Sequence, residues 1–267
     1  MIYEDNKEHD VLKMEMKQHI LITNDDGIAS KGLRALINVA SEFGDVTVVA
    51  PEQGMSGMSH SITMFNPLFV RKIKTSESAT VYACDGTPVD CIKVAVDALM
   101  DELPTLILSG INHGANTNLS VIYSGTMGAA TEGSTYKIPS LGFSHISHNT
   151  DRDMSGAMKY VRQIIQMTLE NNTNPSICLN VNIPDLPFEE IKGIKYCRQT
   201  RGYWKEEFDR KQDPRGRDYF WLVGSFVNNE PDATDTDEWA IKNGYVAVVP
   251  VSTDMTDYDQ LNRLKLW

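Results

Sequence analysis

Short apolar runs alternate with amphipathic stretches along most of the chain, which is the pattern of a mostly parallel α/β protein. We predict buried strands at residues 20–23, 45–50, 105–108, 139–146, 176–183 and 244–251. Helical spacing of apolar residues predicts a helix after the first strand and a long helix over residues 151–170. Residues 61–73 and 80–84 alternate in polarity, so we predict that they form two strands of a hairpin-like excursion.

The most informative stretch is the turn that follows the first strand, Asn24-Asp25-Asp26-Gly27. In a parallel sheet this turn lies at the carboxyl edge, where ligands bind at the switch point of strand order. Adjacent carboxylates repel each other, so Asp25 and Asp26 side by side indicate a bound cation or a strongly donating ligand. Because Asn, Asp and Gly are also the commonest turn residues, an ordinary turn explains the same four residues.

Two later loops are predicted to reach the same edge. Ser56 lies in the glycine-containing loop after the second strand, and Asn112 is expected just beyond the end of the strand at residues 105–108. A serine in such a loop is also typical of a simple turn. Together with Asp25 and Asp26 these side chains offer only oxygen, which suits a hard divalent ion such as Mg²⁺ or Mn²⁺.

Ser124-Gly125-Thr126 is predicted to begin a helix next to this edge. Hydroxyl groups and free backbone N–H groups at a helix start favour an anion such as phosphate, although ordinary capping by Ser124 explains the tripeptide equally well. A cation beside an anion site predicts metal-assisted attack of water on a phosphate ester, in which Asp25 or Asp26 could take the proton of the water. His60 and His113, the only histidines near these loops, could protonate the leaving group, but a hydrogen-bonding role is as consistent with the sequence.

The composition changes after residue 190. Residues 193–226 carry aromatic side chains in short runs around Asp213-Pro214-Arg215-Gly216, which predicts a long β-hairpin arm. The aromatic residues expected to be exposed on this arm are Tyr203, Trp204, Phe208, Tyr219, Phe220 and Trp221. We therefore expect the arm to form a homodimer or homotetramer or to cover the mouth of the site. The predicted division is an N-terminal extension (1–17), an α/β catalytic core (18–190) and the arm with the final strand (191–267).

Composition narrows the class of protein. The 267-residue chain has 41% hydrophobic residues, enough for a sizeable core, and a net charge of −11, which argues against binding to nucleic-acid polymers or anionic membranes. No apolar run approaches the roughly 18 residues of a membrane span. The four cysteines form no CxxC pair, so we expect reduced thiols and a cytoplasmic protein.

Five segments resemble, in order, the signature blocks of the SurE family of survival proteins, also called nucleoside 5'-monophosphate phosphohydrolases. They are TNDDGI (23–28), VVAPEQGMSG (48–57), GTPVDCIKVAV (86–96), SGINHGAN (109–116) and VIYSGTMGAATEG (121–133). The resemblance extends over about residues 20–251 and implies a Rossmann-like α/β/α core with a swapped C-terminal arm.

The resemblance also implies an activity and a set of site residues. Family members are metal-dependent phosphatases of nucleoside monophosphates, so it implies that one Mg²⁺ or Mn²⁺ binds to Asp25, Asp26, Ser56 and Asn112. Asn116 and Ser124-Gly125-Thr126 would then lie near the phosphate. It leaves open which base and sugar position are preferred, and whether 3'-nucleotides or polyphosphate are cleaved.

Other readings of the sequence have less support. An aspartyl-phosphate phosphatase needs Asp-x-Asp-x-Thr after the first strand, and Asp25-Asp26-Gly27 lacks that spacing. No GxGxxG or GxxxxGK[ST] motif supports a dinucleotide site or a P-loop, and no G-x-S-x-G supports a serine hydrolase. A module that binds or senses nucleotides without hydrolysing them is the alternative that the residues leave open.

Overall fold

The computed structural model describes residues 18–75, 79–171, 174–205 and 207–266. The predicted extension at residues 1–17 lies outside this range. In the described chain the helices are α1 Lys31–Ala40, α2 Pro88–Val94, α3 Gly125–Thr135, α4 Ser155–Asn171, α5 Asp237–Lys242 and α6 Tyr258–Leu264. A π-helical turn, Ala95–Leu99, continues α2, and 3-10 turns lie at Asn118–Ile122 and Phe188–Glu190.

Strands in the described chain form one large sheet and two smaller ladders. They are β1 Gln18–Thr23, β2 Gly44–Pro51, β3 Val70–Thr75, β4 Ala79–Cys84, β5 Leu106–His113, β6 Ser140–His145, β7 Cys178–Ile183, β8 Ile194–Tyr196, β9 Gly202–Lys205, β10 Phe208–Gln212, β11 Asp218–Leu222, β12 Ser225–Asn228 and β13 Val246–Val251. The large sheet has the order β3-β4-β2-β1-β5-β6-β7-β13-β8. Its six strands from β4 to β7 are mutually parallel, and β3 and β13 run antiparallel to their neighbours β4 and β7.

Helices cover both faces of this sheet, because the strands carry apolar side chains on both faces, as in β1. Ile20 and Ile22 pack with α1 and α4 on one face, whereas Leu21 packs with α2 and α3 on the other. Side chains of a strand alternate between faces, so a run without polar residues needs an apolar cover on both sides. The predicted three-layer α/β/α architecture with a mostly parallel sheet is thereby confirmed.

Strand order places the carboxyl ends of β1, β2 and β5 next to one another. β1 lies between β2 and β5. At this point the order of the strands in the sheet differs from their order in the sequence, because β3 and β4 lie on the far side of β2. The connection from β1 leads to α1 on one face of the sheet, and α2 and α3 lie on the other. This edge is therefore the switch point at which an α/β sheet forms a crevice.

Two elements begin several residues later than predicted. The strand expected from residue 61 begins at Val70, because residues 61–69 form an irregular loop whose Thr63 donates two hydrogen bonds to the Asp90 carboxylate. The long helix expected from residue 151 begins at Ser155, since the polar residues before it are used in local turns, as in the hydrogen bond from Asp151 N to Asn149 Oδ1.

The C-terminal hairpin arm, residues 202–228, consists of two antiparallel ladders in series. β9 pairs with β12, and β10 pairs with β11 further out, on either side of a turn at residues 213–216. Five of the predicted aromatic residues are exposed on it: Tyr203, Phe208, Tyr219, Phe220 and Trp221. Leu222, which was not part of that prediction, is exposed as well. Trp204 differs from the prediction: it is half-buried, because its ring packs edge-on against Phe226 of the facing strand. None of the helices in the described ranges is long and apolar enough to cross a lipid bilayer.

Candidate active site

The turn after β1 holds both aspartates at the carboxyl edge of the sheet. Gly27 has φ +91°, and a Cβ on it would lie 3.0 Å from the backbone carbon of Gln53, so this position favours glycine. Asn24 fixes the turn from within by donating to Gly27 O at 3.0 Å. The turn is therefore packed directly against the loop that follows β2.

Asp25 is buried, with 3% of its surface exposed, and it lies at the N-terminus of α3. Thr126 Oγ1 donates to Asp25 Oδ1 at 2.5 Å, and a Cβ on Gly125 would lie 2.9 Å from Asp25 Cβ. Burial raises the pKa of Asp25 to about 6, against the Thr126 hydrogen bond that lowers it, and the charge of Asp26 raises it further. The carboxylate is thus held in place in a setting that disfavours its charge.

Asp26 is half-buried and lies on the other side of the turn. Its Oδ2 accepts a hydrogen bond from the His113 backbone N–H at 3.1 Å, which connects it to the end of β5. Burial raises the pKa of Asp26 above its ordinary value, and the His113 hydrogen bond opposes that shift. Among the described residues, no lysine or arginine shifts the pKa of either aspartate.

Asn112 lies within β5, not beyond it as predicted. The strand extends to His113 because pairing with β6 resumes at Asn112 after an irregularity that follows Ser109. Asn112 is buried, and its Nδ2 donates to Gly114 O at 2.8 Å. This bond orients the amide and leaves the Oδ1 atom available as an acceptor.

Ser56 lies in the exposed loop after β2. The loop is fixed one residue earlier, where Met55 N donates to Asp25 O at 2.7 Å. Ser56, Asp25 and Asn112 all line one cavity of about 590 Å³, which we call the site cavity. A larger cavity of about 770 Å³ shares Ser124 with it but is lined by none of these three residues.

The start of α3 contacts Asp25, and its capping residue lines the site cavity. Ser124 caps the helix by accepting from Met127 N at 3.1 Å, and it lines the site cavity. Thr126 is fully buried, and both its hydroxyl and its backbone N–H interact with Asp25. Ser124 therefore caps α3 in the ordinary way. The same helix terminus also stabilises the Asp25 carboxylate, which lies beside the position predicted for the phosphate.

Asn116 lines the same cavity and is fixed by a network of buried amides. Its backbone N–H donates to Asn182 Oδ1 and its Nδ2 to Ser144 Oγ, both at 2.8 Å. Asn180 Nδ2 donates to Asn116 O at 2.8 Å. The alternating asparagines within the buried strand β7 were the signal for this network, which sequence reasoning did not identify.

A second set of anchoring residues was also missed. Asn118 has φ +49°, its backbone N–H donates to Asp237 Oδ2 at 2.8 Å, and its Nδ2 donates to Glu238 Oε1 at 2.7 Å. Thr200 donates to the other oxygen of Asp237 through its hydroxyl at 2.6 Å. The acidic first turn of α5 thereby fixes the loop that carries Asn116.

The donor set is compatible with a hard cation. Within the described ranges, no cluster of three or more His, Cys, Asp or Glu side chains is arranged to hold a metal ion, so a cation here needs hydroxyl or amide oxygens as well. Ser56 and Asn112 supply such oxygens in the site cavity, beside the buried Asp25. A divalent cation would compensate the two carboxylate charges that burial disfavours.

Comparison with known proteins gives consistent matches. The family model described as "Survival protein SurE" matches residues 20–206. The chain is 48% identical to 5'-nucleotidase SurE of Flavobacterium johnsoniae over 252 residues, which covers 94% of this chain and 97% of that protein. It is 45% identical to 5'-nucleotidase SurE of Phocaeicola vulgatus over 251 residues, with 94% and 97% covered. The crystal structure of the SurE protein from Aquifex aeolicus superimposes with a TM-score of 0.79 at 36% identity, covering 93% of this chain and 98% of that one.

Proposed function

Because this chain belongs to the SurE family, we propose that it is a 5'-nucleotidase, a phosphatase that hydrolyses nucleoside 5'-monophosphates with the help of one divalent metal ion. The observation that carries the proposal is the site cavity, which is lined by the buried Asp25, the Asn112 amide, the Ser56 hydroxyl and the capped start of α3. These residues lie on or after three different strands of the sheet, β1, β2 and β5.

In this proposal Asp25, Asp26, Ser56 and Asn112 hold the cation, with Mg²⁺ or Mn²⁺ as the fitting ions. When bound, the ion supplies positive charge that attracts the phosphate and stabilises the charge that develops during hydrolysis. Thr126 and the His113 backbone N–H keep the two carboxylates in fixed positions before the ion binds. Such pre-organisation lowers the cost of assembling the site.

Asn116 and Ser124 are proposed to contact the substrate phosphate, because both line the site cavity. The amide network fixes Asn116, and the helix cap fixes Ser124. Gly125 and Thr126 are proposed to lie near the same phosphate, at the positive end of the helix dipole. Because Gly125 has no side chain, it also leaves room for Asp25.

We also propose that residues 18–190 form the catalytic core and that residues 191–267 mediate formation of a homodimer or homotetramer. The exposed aromatic side chains of the arm support the second part. A cytoplasmic location is proposed because the four cysteines are all free thiols.

Release of inorganic phosphate from AMP tests the proposed function. The wild-type protein with Mn²⁺ is expected to release phosphate, and a chelator is expected to abolish the activity. Asp25→Asn should lose at least about a hundredfold in kcat, in line with the loss of an electrostatic catalytic group. Binding of AMP without turnover would instead support a sensing module, and full turnover by Asp25→Asn would refute the role of Asp25.

A further inference from the structure

The site cavity has two kinds of lining. The α/β core contributes the polar residues described above, among them Asp25 and Asn112, and the ring of Tyr123. The arm contributes Trp204, Leu222 and Val223, with the carboxylate of Glu207 beside them. One cavity therefore combines a strongly polar region and an apolar, aromatic region, although the arm lies outside the large sheet.

The ring of Trp204 is held by its packing within the arm. Trp204 pairs in register with Phe226 of β12, and their ring centroids are 6.1 Å apart at an interplanar angle of 68°. Gly224 has φ +74°, and a Cβ on it would lie 3.5 Å from Trp204 Cε3. The indole Nε1 is buried and has no hydrogen-bond partner within the described chain. The surface that Trp204 offers to the cavity is therefore carbon surface of the ring.

The two kinds of lining match the two ends of a nucleotide. The phosphate is proposed to bind at the polar region, and the flat, apolar base then requires an aromatic surface elsewhere in the same cavity. Every base has a flat π face that can stack on an aromatic side chain. The cavity volume of about 590 Å³ falls within the range of ligand pockets in proteins.

We propose that Trp204 forms the nucleobase subsite of this enzyme, and this inference rests on the proposed function. Through Trp204 of the arm, the enzyme then binds nucleotides more tightly than small phosphate esters that lack a base. Purine nucleotides should benefit more than pyrimidine nucleotides, because a purine offers a larger surface for stacking.

Trp221 provides a matched control on the same arm. It is 63% exposed, lies on β11, and is not among the residues that line the site cavity. Replacement of either tryptophan removes a large aromatic side chain from the arm, but only replacement of Trp204 changes the cavity.

Steady-state kinetics at saturating Mn²⁺ with AMP and with ribose 5-phosphate test the subsite. Trp204→Leu is expected to raise the KM for AMP about 10- to 100-fold, as expected for a lost stacking interaction, and to change kcat less than about twofold. The KM for ribose 5-phosphate should stay within about twofold of wild type. Trp204→Phe retains a stacking ring and should keep the KM for AMP within about threefold. Trp221→Leu keeps an apolar side chain at its exposed position and should leave the KM for AMP as in wild type.

A second measurement does not depend on turnover. Saturation-transfer NMR with adenosine, in the presence of a chelator, should show transfer to the base protons for wild type and Trp221→Leu and lose it for Trp204→Leu. Loss of phosphate release in the wild type would refute the proposed function and leave this result standing. An unchanged KM for AMP in Trp204→Leu, or an equal rise for AMP and ribose 5-phosphate, would overturn the subsite.

Discussion

Asp25 shows most clearly how a single residue connects function with stability. Its folded-state pKa of about 6 lies above its ordinary value of 3.8, chiefly because the carboxylate is buried. Without a cation, the protonated form is favoured in the folded protein, so this group stabilises the fold below about pH 3.8 and loses that contribution as the pH rises through about 6. At neutral pH the charged form therefore lowers stability until a cation compensates it.

Asp25→Asn should accordingly be more stable than wild type in the metal-free state. We expect a gain of about 1–3 kcal/mol in the free energy of unfolding at pH 7.5, the order that follows from a pKa of about 6 in the fold against an ordinary value of 3.8. The gain should disappear near pH 4. Urea denaturation in the presence of a chelator measures both values, and a variant less stable than wild type at pH 7.5 would contradict the argument.

Several site residues could be predicted individually because their chemistry is visible in the sequence. Adjacent carboxylates after the first strand and a Ser-Gly-Thr helix start are local patterns, and the structure brings Asp25 and Ser124 to one cavity. The role of Asp237 could not be predicted, because its partners Asn118 and Thr200 are distant in sequence. Trp204 was wrongly expected to be exposed, since packing against Phe226 depends on the register of the arm.

At the scale of elements, α3 packs against two of the loops that line the site cavity, the turn with Asp25 and the loop with Ser56. Its first turn lies against Asp25, and further along it the buried Glu132 accepts from His60 Nε2 at 2.8 Å and from Lys93 Nζ at 2.7 Å. The hydrogen bond from His60, together with Lys93, lowers the pKa of Glu132 to about 2. Stability from the contacts of the charged Glu132 carboxylate is present above about pH 4.5 and is lost as the pH falls toward 2.

His60 belongs to the loop that carries Ser56, whereas Lys93 belongs to α2. The adjacent Ser59 donates through Oγ to Ile122 O at 2.6 Å, and a Cβ on Gly128 would lie 2.2 Å from Ser59 O. The loop is therefore fixed to α3 on the side next to Ser56. This arrangement predicts different effects for the two partners of Glu132.

His60→Ala is expected to weaken Mn²⁺ binding about five- to tenfold, the equivalent of about 1 kcal/mol, because the loop with Ser56 loses an anchor. Lys93→Met removes the other partner of Glu132 and should lower stability without changing the metal affinity. Calorimetric titration with Mn²⁺ compares them, with His60→Gln as the variant that still donates to Glu132. Equal Mn²⁺ affinity in His60→Ala and wild type would rule out this coupling.

At the scale of the whole molecule, the arm is one of the places where the described part of the chain leaves apolar side chains exposed. Phe208, Phe220, Trp221 and Leu222 are all more than half exposed, in a protein with a net charge of −11. Exposed apolar side chains grouped on one element are typical of an interface with another protein chain. A second copy of the chain is the partner that we propose.

Loss of this surface should lower the molecular mass in solution. We expect the double variant Phe220→Ser/Trp221→Ser to shift the protein from an oligomer toward the monomer in size-exclusion chromatography with light scattering. Lys211→Ser, an exposed polar change on the neighbouring strand β10, serves as the control and should keep the wild-type mass. A wild-type protein that is monomeric at all concentrations would contradict the proposed assembly.

Long-range pairing limits what the sequence reveals about the whole fold. The alternation of strands and helices up to β7 could be predicted, because each unit follows its own apolar period. The return of β13 to an antiparallel position beside β7, with β8 at the sheet edge, has no local signature.

We propose above all that Asp25, Asp26, Ser56 and Asn112 together bind one cation. Anomalous diffraction from crystals grown with Mn²⁺ tests it most directly. We expect one strong peak per chain in the site cavity, within about 2.0–2.6 Å of oxygen atoms of these residues, the range of hard divalent cations. A peak at another position, or no peak at a Mn²⁺ concentration that supports phosphate release, would contradict the account.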